Sequence, residues 1–426
     1  MKQRISVLVI VLLVVLPFSV FAGGTAEAPQ VAPQEAPQRL EVLTPWIGAD
    51  AKAIGGALEV FKAEYPNVDI RYTGIVATSL KTTVTTLLAG GMPPDALSWW
   101  SGQVLPLVEK GALLPLDDFW KENNLDALFP AGTREQFSTE QGKVYFIPHV
   151  MQIRIVAYNK KMFDRLGLEP PKTWDDFLNI FSTLKANDIM PLVVGAKGDV
   201  WGVSPIIDDL IQRTAGPDFM IRLGRGEESW TDPEVVEAFS IFVDWLQKGY
   251  LNKDMLSIDF NEGRARFGRG EAGMFYRETW VSAGLEENFN WRAGVDYAGF
   301  NWPALKADVQ PVALAFADGW IIPREAANPE LAKKFIKVML SEKAQIAHTV
   351  TGKHGLSGLK SIKPGQYDPF KEAQKQTLDT GVTPLMNNVM SSNFLNDVFA
   401  PLIQKMITNP EQFREILAEI EAQKNL

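Results

Sequence analysis

The sequence predicts an α/β fold of two lobes, built on parallel strands flanked by helices. Two observations lead to this fold class. Short β-branched segments alternate with amphipathic helices from Leu40 onwards, and such alternation builds a parallel sheet through right-handed crossovers. At 426 residues and 46% hydrophobic content, the chain is also long enough to form two hydrophobic cores.

The alternation is clearest near the start of the predicted first lobe. Five segments follow one another there: strand 40–43, a helix with Ile54, Leu58 and Phe61 on one face, strand 68–72, a helix with Leu80, Val84 and Leu87 on one face, and strand 96–99. Ligands of open parallel sheets bind beyond the carboxyl ends of the strands, so the residues just after each strand are candidates for binding.

Capping signals mark the middle of the chain. The β-branched run 153–158 predicts a strand, and Asn159 follows it at the position of a helix N-cap. Gly167 predicts the left-handed end of that short helix. Thr173 and Asp176 then have the spacing of a capping box, which predicts the start of a second helix.

The rest of the chain continues the same pattern. We predict helices at 204–212, 234–247 and 262–267, a strand at 272–275, and a long helix at 330–340 that Asn328 caps with Pro329 in its first turn.

The N-terminus has the form of a secretory signal peptide at 1–22. Two cations precede an apolar run at 7–16, and small residues before Gly23 predict cleavage there. The run is shorter than the roughly 20 residues of a membrane span. Residues 23–38, rich in Ala, Pro and Gln, predict a disordered linker without a fold.

Composition excludes several classes of protein. The chain has no cysteine, which rules out disulfides, thiolate metal sites, cysteine nucleophiles and lipid attachment to cysteine. The formal net charge of −9 disfavours nucleic acid or an anionic membrane surface as a partner. A secreted protein without a lipid anchor would diffuse away unless an outer membrane retained it, so we expect it in the periplasm as a soluble monomer without membrane insertion after signal cleavage.

The sequence motifs that could indicate catalysis or a cofactor lack the secondary-structure context or the spacing that such sites require. The glycines of 268–273 match GxGxxG, but they follow a helix and precede a strand, the reverse of a dinucleotide site. The three histidines lack metal-ligand spacing, and the acidic pairs are neighbours in sequence that usually point apart. We therefore expect no catalytic residue, no metal and no cofactor.

Four ordered segments carry a family resemblance. They are 81–100 (KTTVTTLLAGGMPPDALSWW), 142–191, 267–280 (FGRGEAGMFYRETW) and 318–345. Together they resemble the extracellular solute-binding proteins of ABC importers, in the sugar-binding group typified by maltose-binding protein. Each segment alone is a weak signal, and their order makes the resemblance specific.

The resemblance implies the type II periplasmic-binding-protein fold, in which each lobe is a mixed, mostly parallel sheet flanked by helices and the ligand cleft lies between the lobes. It places the N-terminal lobe at 39–150 plus 306–352 and the C-terminal lobe at 151–305 plus 353–426. The chain would then cross between the lobes three times, and such crossings are natural hinges.

Candidate ligand contacts combine aromatic residues at strand ends with nearby polar residues. Flat indoles pack on the C–H faces of a sugar, and planar polar side chains bind its hydroxyls. Any single tryptophan could instead be core. The predicted contacts are Trp46, Trp99, Trp100, Gln152, Trp201, Arg277, Glu278, Trp280, Asp318, Trp320, His354 and Phe394.

Three of the polar candidates have a rival interpretation. Gln152 could form a hinge hydrogen bond instead of a ligand contact. Glu278 could form a salt bridge at the rim of the cleft, and His354 could be an exposed loop histidine. His149 is expected to be structural.

The sequence thus predicts the periplasmic substrate-binding component of an ABC importer. It would bind a mono- or oligosaccharide by lobe closure and deliver it to the transmembrane subunits of the permease. The alternatives are a sensor that presents its solute to a membrane chemoreceptor or kinase, and a binder of a polyol, polyamine or peptide. A glycoside-acting enzyme is a remote alternative.

Overall fold

The structure is a computed structural model whose described residues are 38–139, 141–198, 200–310, 312–363 and 365–425. The predicted signal peptide and almost all of the predicted linker lie outside them. Gln38, which the sequence assigns to the linker, is the first residue of a strand. No helix within the described ranges is long and apolar enough to cross a membrane.

The described residues form ten strands. In chain order they are β1 (Gln38–Thr44), β2 (Val68–Gly74), β3 (Ala96–Trp100), β4 (Ile147–Asn159), β5 (Met190–Val193), β6 (Ala272–Glu278), β7 (Tyr297–Phe300), β8 (Ala313–Ile321), β9 (Leu356–Ser357) and β10 (Val382–Pro384).

Helices flank these strands. Those in the described ranges are α1 (Ala49–Glu64), α2 (Ala77–Ala89), α3 (Leu105–Glu109), α4 (Asp117–Glu122), α5 (Leu125–Leu128), α6 (Thr133–Gln136), α7 (Lys160–Leu166), α8 (Trp174–Ala186), α9 (Ser204–Ala215), α10 (Pro217–Gly224), α11 (Pro233–Lys248), α12 (Phe260–Gly268), α13 (Val281–Phe289), α14 (Pro329–Met339), α15 (Glu342–Gln345), α16 (Pro369–Thr380), α17 (Ala400–Thr408) and α18 (Phe413–Glu421). Short 3₁₀ or π turns occupy Ser101–Gln103, Ile346–Thr351, Met386–Asn388, Phe394–Phe399 and Pro410–Gln412.

The strands join in the order β2-β1-β3-β8-β4-β6-β5, with β10 beside β8 and with β7 and β9 beside β4. Strand β1 is parallel to β2 and β3, and β5 is parallel to β6. Strand β8 is antiparallel to both β3 and β4, and β4 is antiparallel to β6. The predicted α/β class with a mixed sheet is therefore confirmed.

Two large hydrophobic cores divide the chain into two lobes. The core of the first lobe includes Leu40, Phe61 and Trp320. That of the second lobe includes Phe177 and Trp245. A smaller cluster around Phe267, Phe275 and Tyr297 packs beside the second core.

Strand β4 carries the chain from the first lobe to the second. Ile153 is its last residue paired with β8, and Arg154 is its first paired with β6. The lobe limits drawn from the sequence remain a prediction. The burial of Leu356, Leu359 and Ile362 in the first core favours a return to the second lobe later than residue 353.

Local capping explains where the central helices begin. The Asn159 side chain accepts a hydrogen bond from Met162 N, and Gly167 ends α7 with a φ of 68°. Thr173 and Asp176 form a complete capping box at the start of α8. These sequence predictions are confirmed.

Candidate functional site

A cavity of about 450 Å³ lies between the two lobes. Its size falls within the roughly 300–1,000 Å³ of small-molecule pockets. Eight of the predicted ligand contacts line it: Trp46, Trp100, Trp201, Arg277, Glu278, Trp280, Asp318 and His354. The structure thus brings together residues that are more than 300 positions apart in the sequence.

Four predicted contacts are not among the described residues that line the cavity. They are Trp99, Gln152, Trp320 and Phe394, and all four side chains are buried.

The direction of β8 explains the position of Trp320. Because β8 is antiparallel to β3, its carboxyl end lies away from the cleft, and the strand-end rule for parallel strands does not apply to it. Asp318 pairs with Trp100 at the cleft end, whereas Trp320 pairs with Ser98 inside the sheet. Trp320 is fully buried in the first core.

The alternation of side chains along a strand explains Trp99. Trp99 is 3% exposed and donates its indole N–H to Gln103 O at 2.7 Å, while its neighbour Trp100 reaches the cavity. Phe394 packs in the second core with its ring centre 5.9 Å from that of Trp230. Both side chains stabilise a lobe from within.

Gln152 makes hydrogen bonds of the kind that the rival hinge interpretation expects. It is fully buried at the lobe crossing. Its amide nitrogen donates to Asp318 Oδ2 at 2.7 Å, and its amide oxygen accepts from Thr279 Oγ1 at 3.1 Å. Asp318 lines the cavity and Gln152 does not, so the hydrogen bond from Gln152 helps to orient a residue of the cavity wall.

The cavity wall also contains polar residues that the sequence reasoning missed. Asp50 lies in the first turn of α1, just beyond the carboxyl end of β1, and Gln103 follows β3. Lys81 of α2 is a further polar residue of the wall, and Phe260 of α12 is an aromatic wall residue that was also missed. The strand-end rule would have found Asp50 and Gln103 if it had been applied to polar residues as well as to tryptophans.

Aromatic rings face the cavity from both lobes. In the first lobe, the Trp46 ring meets the His354 ring at 65° with centres 5.2 Å apart. In the second lobe, Trp280 and Phe260 meet at 78° and 5.5 Å. Such fixed, edge-packed rings offer flat apolar surfaces on opposite sides of one cavity.

Carboxylates supply the hydrogen-bond acceptors of the wall. Glu278 is held by Arg154 at 2.7 Å and also accepts the indole N–H of Trp280 at 2.9 Å. His354 lies between two carboxylates, with Nδ1 3.5 Å from Asp50 and Nε2 3.8 Å from Asp318. Burial lowers the pKa of His354, but the nearby carboxylates of Asp318 and Asp50 outweigh that effect and raise the pKa overall.

The other two histidines belong to the interior of the first lobe. His149 Nε2 lies 2.9 Å from His348 Nδ1, and both side chains are buried. Burial, with a smaller effect of charge on His354, lowers the pKa of His149 to about 3. Burial also lowers the pKa of His348 well below its usual value. Among the described side chains, no group of three or more His, Cys, Asp or Glu residues has the arrangement of a metal site.

The family profile of the bacterial extracellular solute-binding proteins matches residues 43–346. The chain belongs to this family. An uncharacterized ABC transporter extracellular-binding protein of Pyrococcus horikoshii is 24% identical to this solute-binding protein over 417 residues, covering 96% of this chain and 92% of the relative. A diacetylchitobiose binding protein of Streptomyces coelicolor is 25% identical over 270 residues, covering 60% of this chain and 56% of the relative.

Solved structures share the fold of this solute-binding protein. The bacterial solute receptor AcbH, described as having an exclusive substrate preference for β-D-galactopyranose, superposes with a TM-score of 0.81 at 21% identity, over 91% of this chain and 98% of that one. A chitin oligosaccharide binding protein superposes with a TM-score of 0.79 at 22% identity, over the same shares of the two chains. These likenesses establish the two-lobed periplasmic-binding-protein fold.

Proposed function

We propose that this protein is the substrate-binding component of an ABC importer and that it binds a mono- or oligosaccharide between its lobes. The observation that carries the proposal is one interlobe cavity in which tryptophans and carboxylates from both lobes face each other. Indoles stack on the C–H faces of sugar rings, and carboxylates accept hydrogen bonds from their hydroxyls. The relatives named as sugar-binding proteins support the same ligand class.

The proposed contacts are the eight predicted residues of the wall together with Asp50, Lys81, Gln103 and Phe260. In the first lobe, Trp46 and Trp100 offer ring faces, and Asp50 and Asp318 offer acceptors. The second lobe adds Trp280 with Glu278 beside it. A sugar bound to one lobe would gain the remaining contacts when the lobes close, so its binding shifts the protein towards the closed state.

Arg277 has a supporting role in this proposal. Its guanidinium donates to Trp201 O at 3.2 Å and to Gly195 O at 2.9 Å. These hydrogen bonds fix the loop that carries Trp201. Arg277 therefore shapes the cavity wall of the second lobe, whether or not its guanidinium also donates to the sugar.

The place of action follows from the same proposal. A cleaved signal peptide at 1–22 would release the protein into the periplasm, where it would deliver its sugar to the transmembrane subunits of the permease. The protein itself would perform no reaction. A sensor that presents its sugar to a chemoreceptor or kinase would use the same cavity, and co-purification with permease subunits or with a receptor separates the two roles.

A thermal-shift screen tests the ligand class, because a ligand that binds the folded state raises the melting midpoint. The panel is maltose, raffinose, diacetylchitobiose and galactose, with spermidine and a mixed tripeptide as non-sugar solutes. A shift with at least one sugar is expected. A shift with spermidine or the tripeptide alone contradicts the carbohydrate proposal.

The Trp280→Ala variant tests the site. It should weaken sugar binding and remove most of the ligand-induced change in tryptophan fluorescence. Trp291→Ala is the matched control, because Trp291 is also partly buried in the second lobe and does not line the cavity. Equal loss in both variants would contradict a specific role for Trp280.

A further inference from the structure

The Trp280 indole is held by three side chains of the second lobe. Its Nε1 donates to Glu278 Oε2 at 2.9 Å, and the Phe260 ring meets it almost at a right angle. The guanidinium carbon of Arg264 lies over the ring, 5.2 Å from its centre. The orientation of the indole is therefore fixed without any contact from a ligand.

Arg264 approaches the indole from outside the cavity. It belongs to α12, is 7% exposed, and is not among the described residues that line the cavity. Its Nη2 donates to Asn261 Oδ1 at 3.1 Å, while its Nη1 is buried with no hydrogen-bond partner among the described atoms. A cation held this way in a desolvated place interacts strongly with an aromatic face.

Gly284 provides the space for this guanidinium. The residue lies in α13, the helix that begins directly after Trp280. A Cβ atom added at position 284 would lie 2.2 Å from Arg264 Nη1 and 2.4 Å from Arg264 Cζ. Any other residue at position 284 would therefore push the guanidinium away from the indole.

We propose that Arg264 is a positioning residue that supports the Trp280 indole from behind and holds its cavity side in the orientation that receives a sugar ring. The inference rests on the proposed function, because it assigns the cavity side of Trp280 to the ligand. A platform fixed in advance saves the entropy of ordering a large side chain on binding. Removal of its support lowers affinity although Arg264 makes no contact with the sugar.

Four variants test this role. Arg264→Met removes the charge and the planar group at similar length. Arg264→Lys keeps a cation, and Gly284→Ala displaces the guanidinium without changing it. The control is Arg269→Met, the same chemical change at an exposed arginine just after α12 that pairs with Glu262 and Glu271.

The first measurement needs no ligand. Each variant is paired with the same variant carrying Trp280→Phe, and the difference in emission isolates the fluorescence of Trp280. We expect acrylamide to quench this emission more strongly in Arg264→Met and Gly284→Ala than in the wild type. Arg264→Lys should lie between, since an ammonium is also attracted to an indole face. Arg269→Met should match the wild type.

The second measurement is sugar affinity by calorimetry with maltose, raffinose, diacetylchitobiose and galactose. For the sugar that the wild type binds best, Arg264→Met and Gly284→Ala should raise Kd about tenfold, and Arg264→Lys should raise it less. Unchanged quenching and unchanged Kd in folded Arg264→Met overturn the inference. If that variant does not fold, the same two results in Gly284→Ala overturn it.

The two measurements separate this inference from the proposed function. A wild type that binds none of the sugars defeats the proposed function and with it the ligand role given to Trp280. Normal sugar binding by the wild type, together with unchanged quenching and unchanged Kd in the folded Arg264→Met variant, defeats the positioning role alone.

Discussion

Arg154 and Glu278 form a buried ion pair at the point where the chain passes from one lobe to the other. Arg154 Nη2 lies 2.7 Å from a Glu278 carboxylate oxygen, and the two side chains are 1% and 4% exposed. The same two residues face each other in the pairing of β4 with β6. Glu278 also lines the cavity, so the carboxylate that compensates the Arg154 charge at the lobe crossing belongs to the cavity wall.

Glu278→Gln should destabilise the protein by about 3–5 kcal/mol, because it leaves the buried Arg154 charge without its counterion. Chemical denaturation at neutral pH measures this loss. The control is Asp244→Asn, which removes the exposed ion pair of Asp244 with Lys248 and should hardly change stability. If both variants lose the same small amount of unfolding free energy, breaking the buried ion pair costs no more than breaking an exposed one.

The sequence predicts well those features that depend on neighbouring residues. The capping box of Thr173 and Asp176, the N-cap at Asn159 and the β-branched run of β4 act over a few positions, so their signals are complete in the sequence. The order of strands and helices follows from the same local signals. The fold class was therefore within reach of the sequence.

The candidate site depends on pairings that the sequence does not contain. Trp320 was predicted at a strand end, but the antiparallel pairing of β8 with β3 turns that end away from the cleft. Gln152 was given two roles, and its short distances to Asp318 and Thr279, which favour the hinge role, are visible only in the structure. The direction of a strand and the partner of a buried amide are set by distant parts of the chain.

Closure of the cleft should depend on ion pairs between the first lobe and α13. Lys52 of α1 pairs with Glu287, and Lys353 pairs with the neighbouring Glu286. Glu287→Lys places two cations together at an exposed contact, which should speed sugar dissociation a few-fold in stopped-flow fluorescence. The charge swap Lys52→Glu with Glu287→Lys should restore the wild-type rate. A swap that dissociates as fast as the single variant would contradict direct pairing.

Gly102 should be required for the approach of the lobes at a second contact. A Cβ atom at this position would lie 2.0 Å from Asn388 Cγ and 2.4 Å from Asn388 Cβ in the second lobe. We expect Gly102→Ala to weaken sugar binding measured by calorimetry, because the closed arrangement no longer fits.

Gly55→Ala is the control, since nothing lies within 4 Å of a Cβ there. In helix α1 that change should stabilise the protein by about 0.5–1 kcal/mol and leave binding unchanged. Wild-type affinity in Gly102→Ala would show that the lobes close without this contact.

Asp208 should make the stability of the second lobe fall as pH rises from about 4 to about 8. Its Oδ2 accepts a hydrogen bond from Met386 N at 3.0 Å, while its Oδ1 is buried without a partner among the described atoms. Burial raises the pKa of Asp208 to about 8, although the bond from Met386 opposes the shift. The folded state therefore keeps a proton that the unfolded chain releases above about pH 4.

The Asp208→Asn variant should differ from the wild type in how its stability depends on pH. Because the folded pKa of Asp208 is raised, its contribution is fully present below the unfolded pKa and is lost as pH rises through the folded value. Asparagine keeps an acceptor for Met386 and cannot ionise, so the variant should gain roughly 1.4 kcal/mol relative to the wild type per pH unit across this window. Thermal denaturation at pH 5, 6, 7 and 8 measures the trend.

Asp209→Asn is the matched control. Asp209 is the next residue in the chain, and its carboxylate accepts hydrogen bonds from Arg213, Gln212 and Tyr276. Loss of that charge should destabilise the protein at every pH, since it leaves the buried Arg213 cation unpaired. A stability difference between Asp208→Asn and the wild type that stays constant from pH 5 to pH 8 would mean that Asp208 is already ionised in the folded protein. Its charge would then have to be balanced within the lobe, and Arg154, a cation that lowers the pKa of Asp208, would compensate both Asp208 and Glu278.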